Sequence, residues 1–359
     1  MNIEITRCDA NQRKPAPPSD TQLGFGRYFT DHMFKVDYAP DEGWRAPRIE
    51  PYGPLALDPA CMVLHYAQEI FEGMKAYHGV DGAIRLFRPE MNIERMRRSA
   101  KRLCMPDFDT DETLDALKQL VLLEREWIPK TEGCALYIRP TMIATDPFLG
   151  VRPSTSYLFY IILSPVGAYY PEGFNPVSIM VQTNYVRAVE GGIGDAKTGG
   201  NYAASLAGQL EAKSKGFTQV LWLDAKERRY IEEVGTMNMF FVIGDQVLTS
   251  PLTGTILPGV TRDSVLEILK RWGTHEVVER QVTIDEVVEA SENGTLKEAF
   301  GTGTAAIISP VGRFRYHDKD YKVADGMTGS LSQKLYDYIL ALQFGHKEDP
   351  FGWVQRIDL

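Results

Sequence analysis

Hydrophobic spacing in the first half of the chain predicts a mixture of helices and strands. Residues 1–55 are rich in proline and predict irregular structure. From Pro89 onward, apolar residues recur at helical spacing until Pro106 stops the pattern, which predicts a helix over Pro89–Arg102. A second helix is predicted over Asp111–Trp127. The strands predicted in this half are AIRLF at residues 83–87, ALYIRPTMIA and SYLFYIIL.

The second half predicts several short strands and two helices. TQVLWLD and RRYIEEV flank the polar stretch AKER, which predicts a hairpin. SIMVQTNYVRA predicts one further strand, and MNMFFVIGDQVLTSP predicts two. The helices are expected over Ala203–Lys215 and Thr261–Trp272, and a glycine follows each of them. PEGFNPVSI, at residues 171–179, combines prolines, glycine and asparagine and predicts a linker.

The chain has 359 residues, which fits two domains of ordinary size. We expect a small N-terminal domain over 1–170, a linker over 171–180 and a larger cofactor-binding domain over 181–359. Hydrophobic residues make up 44% and charged residues 24%, as in globular enzymes and binding proteins. A net charge of −9 argues against broad nucleic-acid binding and against adsorption to anionic membranes.

The cysteines predict neither a disulfide framework nor a metal site. Cys8, Cys61, Cys104 and Cys134 are scattered, form no CxxC pair and have no histidine at zinc-site spacing. We therefore expect a reducing, cytoplasmic location and no metal. The longest uncharged run, residues 153–171, is interrupted by prolines and predicts a buried strand followed by a loop instead of a membrane helix.

Lys197 lies in the glycine-rich segment GGIGDAKTGGNYAAS. Glycines allow the backbone to fold tightly around one cationic side chain. Burial lowers the pKa of a lysine, and the neutral amine is a nucleophile for a carbonyl group. The alternative is a surface loop that carries a solvated lysine.

Two segments predict an anion site. Gly259 precedes a helix that begins near Val260 and Thr261, where free N–H groups and the positive end of the helix dipole favour negative charge. The alternative is that Thr261 caps its own helix. The turn FGTGTAA adds the hydroxyls of Thr302 and Thr304, and its alternative is a tight turn that leads into a strand.

Charged side chains complete a set of groups with related chemistry. Arg95 and Arg98 lie near one helix face, where a solvated surface is the usual explanation. Arg139, in a predicted strand, requires an anionic partner, either a ligand or an internal salt bridge. Glu232 and Glu233 are adjacent and point to opposite faces of a strand, and periodicity does not tell which is buried. Pyridoxal 5'-phosphate requires such a lysine, phosphate cradle, arginine and carboxylate.

Seven segments occur in an order that resembles the branched-chain amino acid aminotransferases, the fold type IV class of pyridoxal-phosphate enzymes. They are FEGMKAY, RLFRPEMNIERM, LYIRPT, GDAKTGGNYAAS, EVGTMNMFF, LPGVTR and GTGTAA. The resemblance extends from FGRYFTDHM, near residue 25, to the C-terminal helix, and is closest to the longer subgroup that includes the mammalian enzymes. It implies an α+β, two-domain fold like that of D-amino acid aminotransferase, with a small N-terminal α/β domain and a larger C-terminal domain.

The resemblance also implies an activity. A branched-chain-amino-acid transaminase transfers the amino group of L-leucine, L-isoleucine or L-valine to 2-oxoglutarate through a Schiff base of pyridoxal 5'-phosphate. The ping-pong reaction gives a branched 2-oxo acid and L-glutamate. A D-amino acid aminotransferase, an aminodeoxychorismate lyase and a non-catalytic binding protein on this scaffold are the alternatives.

The resemblance gives each cofactor residue a role. Lys197 is expected to be the Schiff-base lysine and the proton shuttle. Tyr202 is expected to donate to the phenolic oxygen of the cofactor, Glu233 to hold its ring nitrogen, and Arg95 to clamp its phosphate. The remaining cofactor contacts are expected from Thr236, Leu257, Gly259, Val260, Thr261 and Thr304.

The resemblance also defines a substrate pocket. Its expected members are Phe25, Tyr66, Phe71, Tyr137, Arg139, Leu149, Val151, Tyr169, Thr236, Thr304 and Ala305. Arg139 is expected to bind the distal carboxylate of glutamate, whereas Thr236, Thr304 and Ala305 receive the α-carboxylate.

The resemblance implies a homodimer with a shared active site. Leu149 and Val151 match a loop that the neighbouring subunit donates, and Tyr66 is a further candidate to cross over. The mammalian relatives carry a CxxC redox switch where this chain has Ala306 and Ser309, so no thiol switch is expected there.

Overall fold

The computed structural model describes residues 1–17, 19–167 and 174–357. Tyr169 and residues 171–173 of the expected linker lie outside the described residues. The strands are β1 (Glu4–Ile5), β2 (His32–Ala39), β3 (Gly43–Pro51), β4 (Glu69–Phe71), β5 (Met74–His78), β6 (Ile84–Phe87), β7 (Ala135–Ala144), β8 (Tyr157–Val166), β9 (Val177–Val181), β10 (Gln219–Leu223), β11 (Ile231–Val234), β12 (Met237–Ile243), β13 (Gln246–Thr249), β14 (Glu276–Glu279), β15 (Leu296–Gly303), β16 (Ile307–Tyr316), β17 (Lys319–Lys322) and β18 (Val354–Ile357).

The α-helices are α1 (Met62–Tyr66), α2 (Pro89–Arg102), α3 (Thr110–Leu123), α4 (Gly199–Ser214), α5 (Val260–Trp272), α6 (Ile284–Glu292) and α7 (Ser330–Phe344). Short 3-10 helices cover Ala10–Gln12, Asp20–Gln22 and Arg125–Trp127. Among the described residues, no helix combines the length and apolarity that crossing a membrane requires.

The chain separates into two compact units that are not contiguous in sequence. Unit 1 comprises Met1–Pro171, Ala196–Gly199 and Leu340–Leu359, and unit 2 comprises Glu172–Asp195 and Gly200–Ile339.

This division differs from the expected boundaries for a physical reason. Strand β18, near the C-terminus, pairs antiparallel with β6 of unit 1. Unit 1 therefore includes the C-terminal segment Leu340–Leu359 and holds more residues than unit 2. Val177–Val181, which overlaps the expected linker, is strand β9 of unit 2.

Unit 1 is built on a sheet with the strand order β1-β3-β2-β8-β7-β5-β6-β18, and β4 pairs with β7. Helices α2 and α3 pack apolar residues such as Ile93, Leu117 and Leu120 against the sheet residues Ile138 and Phe159. Burial of such side chains stabilises each by about 1.5–3 kcal/mol. Helix α2 has its predicted bounds, and α3 ends at Leu123 before a 3-10 turn covers the rest of the predicted helix.

The expectation of irregular structure over residues 1–55 is wrong for much of that segment. β2 and β3 form an antiparallel pair whose register shifts opposite Lys35–Asp37. A bulge at this place admits Pro47 into β3, because proline cannot donate a ladder hydrogen bond. The high proline content therefore led to a wrong prediction for β2 and β3.

Unit 2 contains a sheet in which six strands close into a ring. The order is β11-β10-β9-β16-β15-β12-β13-β14, and β11 pairs with β12 as well as with β10. The predicted hairpin is confirmed, since β10 and β11 are antiparallel neighbours. The short turn after Val234 leads directly into β12, which places Glu233 opposite Asn238.

Candidate active site

In unit 1, the backbone around Lys197 is fixed to the edge of strand β4. The Phe71 N–H donates to the Lys197 carbonyl at 3.0 Å, and the Thr198 hydroxyl donates to the Glu69 carbonyl at 2.7 Å. The Gly199 N–H donates to the Glu69 carboxylate. Lys197 is half-buried, and its Nζ lies 5.0 Å from the centre of the Phe71 ring. A solvated surface loop, the alternative interpretation, does not describe this anchored segment.

Helix α4 begins at Gly199, four residues before the helix start expected at Ala203. The two glycines of its first turn cost helix propensity, but a side chain at Gly199 would overlap the Glu69 carboxylate. Tyr202 lies in the same first turn and is half-buried. The start of α4 thus follows from the close approach of Glu69, which residue spacing alone does not reveal.

Arg95 is buried, so the expectation of a solvated surface position is wrong for it, although Arg98 is exposed as expected. The Arg95 guanidinium donates to the fully buried Glu72 carboxylate through Nε at 2.7 Å and Nη2 at 2.8 Å. Burial by itself would raise the pKa of Glu72, but the Arg95 charge and hydrogen bonds outweigh it and lower that pKa.

Helix α2 links this ion pair to the lysine segment. The Ser99 hydroxyl, one turn after Arg95, donates to the Arg95 carbonyl at 3.1 Å. The same hydroxyl oxygen accepts the Lys197 backbone N–H at 2.9 Å. Asn92 adds a hydrogen bond to Glu72 at 2.9 Å. One face of helix α2 therefore carries Arg95 and also hydrogen-bonds to the backbone of Lys197.

Arg139 lies close to two aromatic rings. Its guanidinium carbon is 4.7 Å from the centre of the Phe71 ring and 5.2 Å from that of Tyr137. Its Nη2 donates to the Tyr137 hydroxyl at 3.2 Å, and Phe25 packs edge-on against Tyr137 at 4.9 Å. A side chain at Gly73 would overlap that hydroxyl, so only glycine fits there.

The sequence predicts either an anionic ligand or an internal salt bridge as the partner of Arg139. Within the part of the chain that the structure describes, Arg139 makes no ion pair, and its buried Nε has no hydrogen-bond partner. The aromatic rings stabilise the guanidinium but leave donors available. This geometry favours an anionic ligand over an internal salt bridge.

Tyr66, Leu149 and Val151 lie at the surface of unit 1. The Tyr66 hydroxyl donates to the Leu149 carbonyl of the same chain. Leu149 is 64% and Val151 is 84% exposed, so both apolar side chains face solvent within this unit. The hydrogen bond between Tyr66 and Leu149 therefore brings these expected pocket residues together on the solvent-exposed surface of unit 1.

In unit 2, both Glu232 and Glu233 are buried, so a charge pair in water, the alternative interpretation, is wrong. The Glu233 carboxylate accepts the Leu257 N–H at 2.8 Å and lies 3.2 Å from Nε of Arg187. Burial raises the pKa of Glu232, and its Oε2 has no hydrogen-bond partner among the described residues. Of the two carboxylates, Glu233 is the one that has a buried cation at ion-pair distance within the described residues.

The predicted anion site at the start of α5 has an uncapped helix end. Gly259 occupies the N-cap position and has no side chain to cap the first turn, and Thr261, the second helical residue, does not occupy that position. The Asn238 amide donates to the Leu257 carbonyl at 2.9 Å. A side chain at Gly259 would overlap this amide, so glycine is required for the close approach. Val260 and Thr261 are buried at the helix start.

The segment FGTGTAA is a tight turn between β15 and β16. Gly303 pairs with Ile307, and Thr304, Ala305 and Ala306 form the turn. The buried Thr302 hydroxyl is without a hydrogen-bond partner among the described side chains. Thr304 and Ala305 are half-buried, and Thr236 is exposed in the turn between β11 and β12.

Each unit, taken by itself, supplies groups that fit pyridoxal 5'-phosphate. Unit 1 presents an amine on an anchored backbone and a buried arginine. Unit 2 presents a carboxylate beside a buried cation, a helix N-terminus with glycine at the N-cap, and the Thr302 hydroxyl, which has no hydrogen-bond partner among the described residues. These are the donors and acceptors that the aldehyde, ring nitrogen and phosphate of this cofactor require.

Sequence reasoning missed several residues that hold these groups in place. They are Glu69, Glu72, Asn92, Ser99, Arg187 and Asn238. Glu72 stands in the quoted segment FEGMKAY and Asn92 in NIERM, but residue spacing gives no sign of their partners.

Comparison with known proteins agrees with the fold. The family model described as amino-transferase class IV matches residues 69–314. The chain therefore belongs to the class IV amino-transferases. It is 53% identical over 357 residues to branched-chain-amino-acid aminotransferase 2 of Bacillus subtilis (strain 168), and the match covers 99% of this chain and 98% of that relative.

Solved structures show the same similarity. The branched-chain amino acid aminotransferase of Escherichia coli matches with a TM-score of 0.77 and 27% identity, over 91% of this chain and 99% of that one. The T.th. branched-chain amino acid aminotransferase complexed with N-(5'-phosphopyridoxyl)-L-glutamate matches with a TM-score of 0.76 and 25% identity, over 94% and 99%. The expectations of a fold type IV aminotransferase and of pyridoxal 5'-phosphate as cofactor are confirmed.

Proposed function

We propose that this chain is a branched-chain amino acid aminotransferase. It transfers the amino group of L-leucine, L-isoleucine or L-valine to 2-oxoglutarate in two alternating half-reactions, which give a branched 2-oxo acid and L-glutamate. A relative with that name is 53% identical over nearly the full chain. The observation that carries the proposal is the position of Arg139, a cation close to Phe71 and Tyr137, because such a lining accepts aliphatic and acidic side chains alike.

When bound, pyridoxal 5'-phosphate supplies an aldehyde for the amino group and a ring that withdraws electrons from the substrate α-carbon. Lys197 would hold the aldehyde carbon through Nζ. Glu233 would hold the protonated ring nitrogen, since Arg187 and the Leu257 N–H favour its ionised form.

The other cofactor residues would bind the cofactor and orient it. Tyr202 would donate to the phenolic oxygen. The phosphate would be held by Arg95, by the free amides at Val260 and Thr261, and by the Thr304 hydroxyl. The further contacts proposed are those of Thr236, Leu257 and Gly259.

Lys197 would move the proton. Once the substrate amino group has replaced Nζ at the aldehyde carbon, the freed amine would remove the proton from the substrate α-carbon, and the ammonium that results would carry that proton for the next step. The backbone anchors at Phe71 and Ser99 restrict where Nζ can lie. Such positioning is a large part of catalysis, because the amine must reach the α-carbon within hydrogen-bond distance.

Phe25, Phe71 and Tyr137 would surround the substrate side chain. Arg139 would bind the distal carboxylate of 2-oxoglutarate and glutamate through the donors that its aromatic neighbours leave available. Thr236, Thr304 and Ala305 would receive the α-carboxylate. Tyr169 stays a prediction from the sequence.

The shared active site of a homodimer is also a proposal. The exposed apolar side chains of Leu149 and Val151 support it, because large exposed apolar groups that cluster indicate an interface. Tyr66 fixes their loop through the Leu149 carbonyl. Analytical ultracentrifugation of Val151→Asp tests it: a dimer is expected for the native protein and dissociation for the variant. The cytoplasmic location stays a prediction from the cysteine pattern.

Steady-state kinetics over a panel of amino acids and 2-oxo acids tests the activity. The native protein with pyridoxal 5'-phosphate should turn over leucine, isoleucine and valine with 2-oxoglutarate. Turnover confined to D-amino acids, or no turnover of any amino acid, would contradict the proposal.

A further inference from the structure

Glu69 has no role in the proposed chemistry, yet its carboxyl group lies on the face of the unit 1 sheet that carries Arg139. In antiparallel pairs, residues directly opposite each other point to the same face, as do residues two apart on one strand. Phe71 pairs with Thr141, and Thr141 pairs with Tyr160. Glu69, two residues before Phe71, and Arg139, two residues before Thr141, therefore share that face.

The Glu69 carboxylate does not reach the Arg139 guanidinium. Its Oε1 accepts the Gly199 N–H at the start of α4, next to the lysine segment. Among the described residues, no carboxylate lies within 4.0 Å of the Arg139 guanidinium, so Glu69 and Arg139 interact by charge without forming an ion pair. Burial raises the pKa of Glu69, and the Gly199 hydrogen bond and the Arg139 charge oppose that rise.

This arrangement addresses a problem that any pocket for both leucine and 2-oxoglutarate must solve. An arginine that binds a distal carboxylate is left as an uncompensated buried charge when an aliphatic side chain replaces the acid. A direct salt bridge would neutralise the arginine but would also occupy its donors. A carboxylate on the same face that is hydrogen-bonded to a backbone N–H lowers the free-energy cost of burying the unpaired arginine. It also leaves the N–H donors of the arginine available.

We propose that Glu69 is a specificity-determining residue that offsets the charge of Arg139 while an aliphatic side chain is bound and opposes the binding of a distal carboxylate. The inference rests on the proposed function, in which Arg139 binds the acidic substrate. On this proposal, the relative affinity for aliphatic and acidic substrates depends on the charge of Glu69, which contacts neither substrate.

Isothermal titration of the holoenzyme tests this inference without turnover. The two probes are glutarate, a dicarboxylate, and 4-methylpentanoate, an aliphatic monocarboxylate. Glu69→Gln keeps an acceptor for the Gly199 N–H but removes the charge. We expect the Kd of glutarate to fall and that of 4-methylpentanoate to rise, each by roughly three- to tenfold, as for a charge near a partly buried partner.

Two further variants keep the result interpretable. Glu69→Ser also lacks the charge and should shift both affinities in the same directions, so it replaces Glu69→Gln if that variant fails to fold. Glu126→Gln removes a carboxylate that is 85% exposed, and both affinities should stay unchanged. Weaker binding of both probes to the Glu69 variants, or no change in either, would overturn the inference and leave Glu69 with a structural role alone.

A separate variant distinguishes this failure from a failure of the proposed function. Arg139→Met should weaken glutarate binding strongly. If it does so while the Glu69 variants leave the two affinities unchanged, only the role of Glu69 is overturned. If Arg139→Met leaves glutarate binding unchanged, the proposed role of Arg139 fails, and the inference about Glu69 fails with it.

Discussion

Arg95 and Glu72 form a two-point ion pair in the interior of unit 1, with Nε–Oε1 and Nη2–Oε2 distances of 2.7 Å and 2.8 Å. Two parallel hydrogen bonds fix the guanidinium plane more strictly than one would. Because Ser99 connects the same helix to the Lys197 backbone, the ion pair supports two of the proposed cofactor residues at once.

Glu72→Gln should destabilise the protein. The change removes the carboxylate charge that faces the buried Arg95 guanidinium, and breaking such a buried ion pair typically costs about 3–5 kcal/mol of unfolding free energy. Glu42→Gln, which breaks the exposed ion pair with Arg45, should cost less than about 1 kcal/mol. Urea unfolding of both variants measures the difference. Similar small losses for the two would show that the buried pair adds no more than a surface one.

The same ion pair predicts the direction of a pH effect. The pKa of Glu72 is lowered in the folded protein, so its stabilisation is present above the unfolded value of 4.5 and is lost as the pH falls through the folded value. The native protein should therefore lose more stability on acidification than Glu72→Gln does. Thermal melts between neutral and acid pH measure this, and parallel losses in both proteins would contradict the assignment.

Glu233→Gln should lower kcat on the order of 100-fold, a typical loss when one charge interaction of a transition state is removed. The Arg187 guanidinium and the Leu257 N–H both favour the Glu233 carboxylate, whereas no cation lies within ion-pair distance of Glu232 in the described part of the chain. Glu232→Gln should lower kcat less than about threefold, within ordinary context effects for a removed hydrogen bond. Larger losses from Glu232→Gln than from Glu233→Gln would exchange the two assignments.

Local patterns in the sequence were sufficient for many elements and for the lysine. The bounds of α2 follow from Pro89 and the helical spacing, and the hairpin of β10 and β11 follows from strand patterns around a polar turn. Lys197 stands out because glycines surround it. Each of these features depends on residues that are close in sequence.

Features that depend on distant partners were not predictable in this way. Arg95 is buried because Glu72, 23 residues earlier, satisfies its charge. Glu69 and Gly199 meet across 130 residues, and this contact moves the start of α4. Glu232 and Glu233 are both buried, so the alternation of a strand between two faces could not separate them.

Arg139→Met should separate the two substrates kinetically. The KM for 2-oxoglutarate should rise by roughly 100-fold, as when one partner of a buried charge pair is lost, because the distal carboxylate loses its cation. The KM for leucine should change much less, since methionine retains apolar surface beside Phe71 and Tyr137. Arg45→Met, at an exposed arginine outside the proposed site, is the control. Equal changes for both substrates would argue against the role of Arg139.

Lys197→Ala should abolish transamination, because no other group takes over both attachment of the cofactor and transfer of the α-proton. Lys213→Ala, an exposed lysine on helix α4, should keep native activity. Borohydride reduction of the native holoenzyme followed by peptide mapping should place the pyridoxyl group on Lys197. An adduct on a different lysine would contradict the assignment, and the backbone anchors from Phe71 and Ser99 would then fix a loop that takes no part in the chemistry.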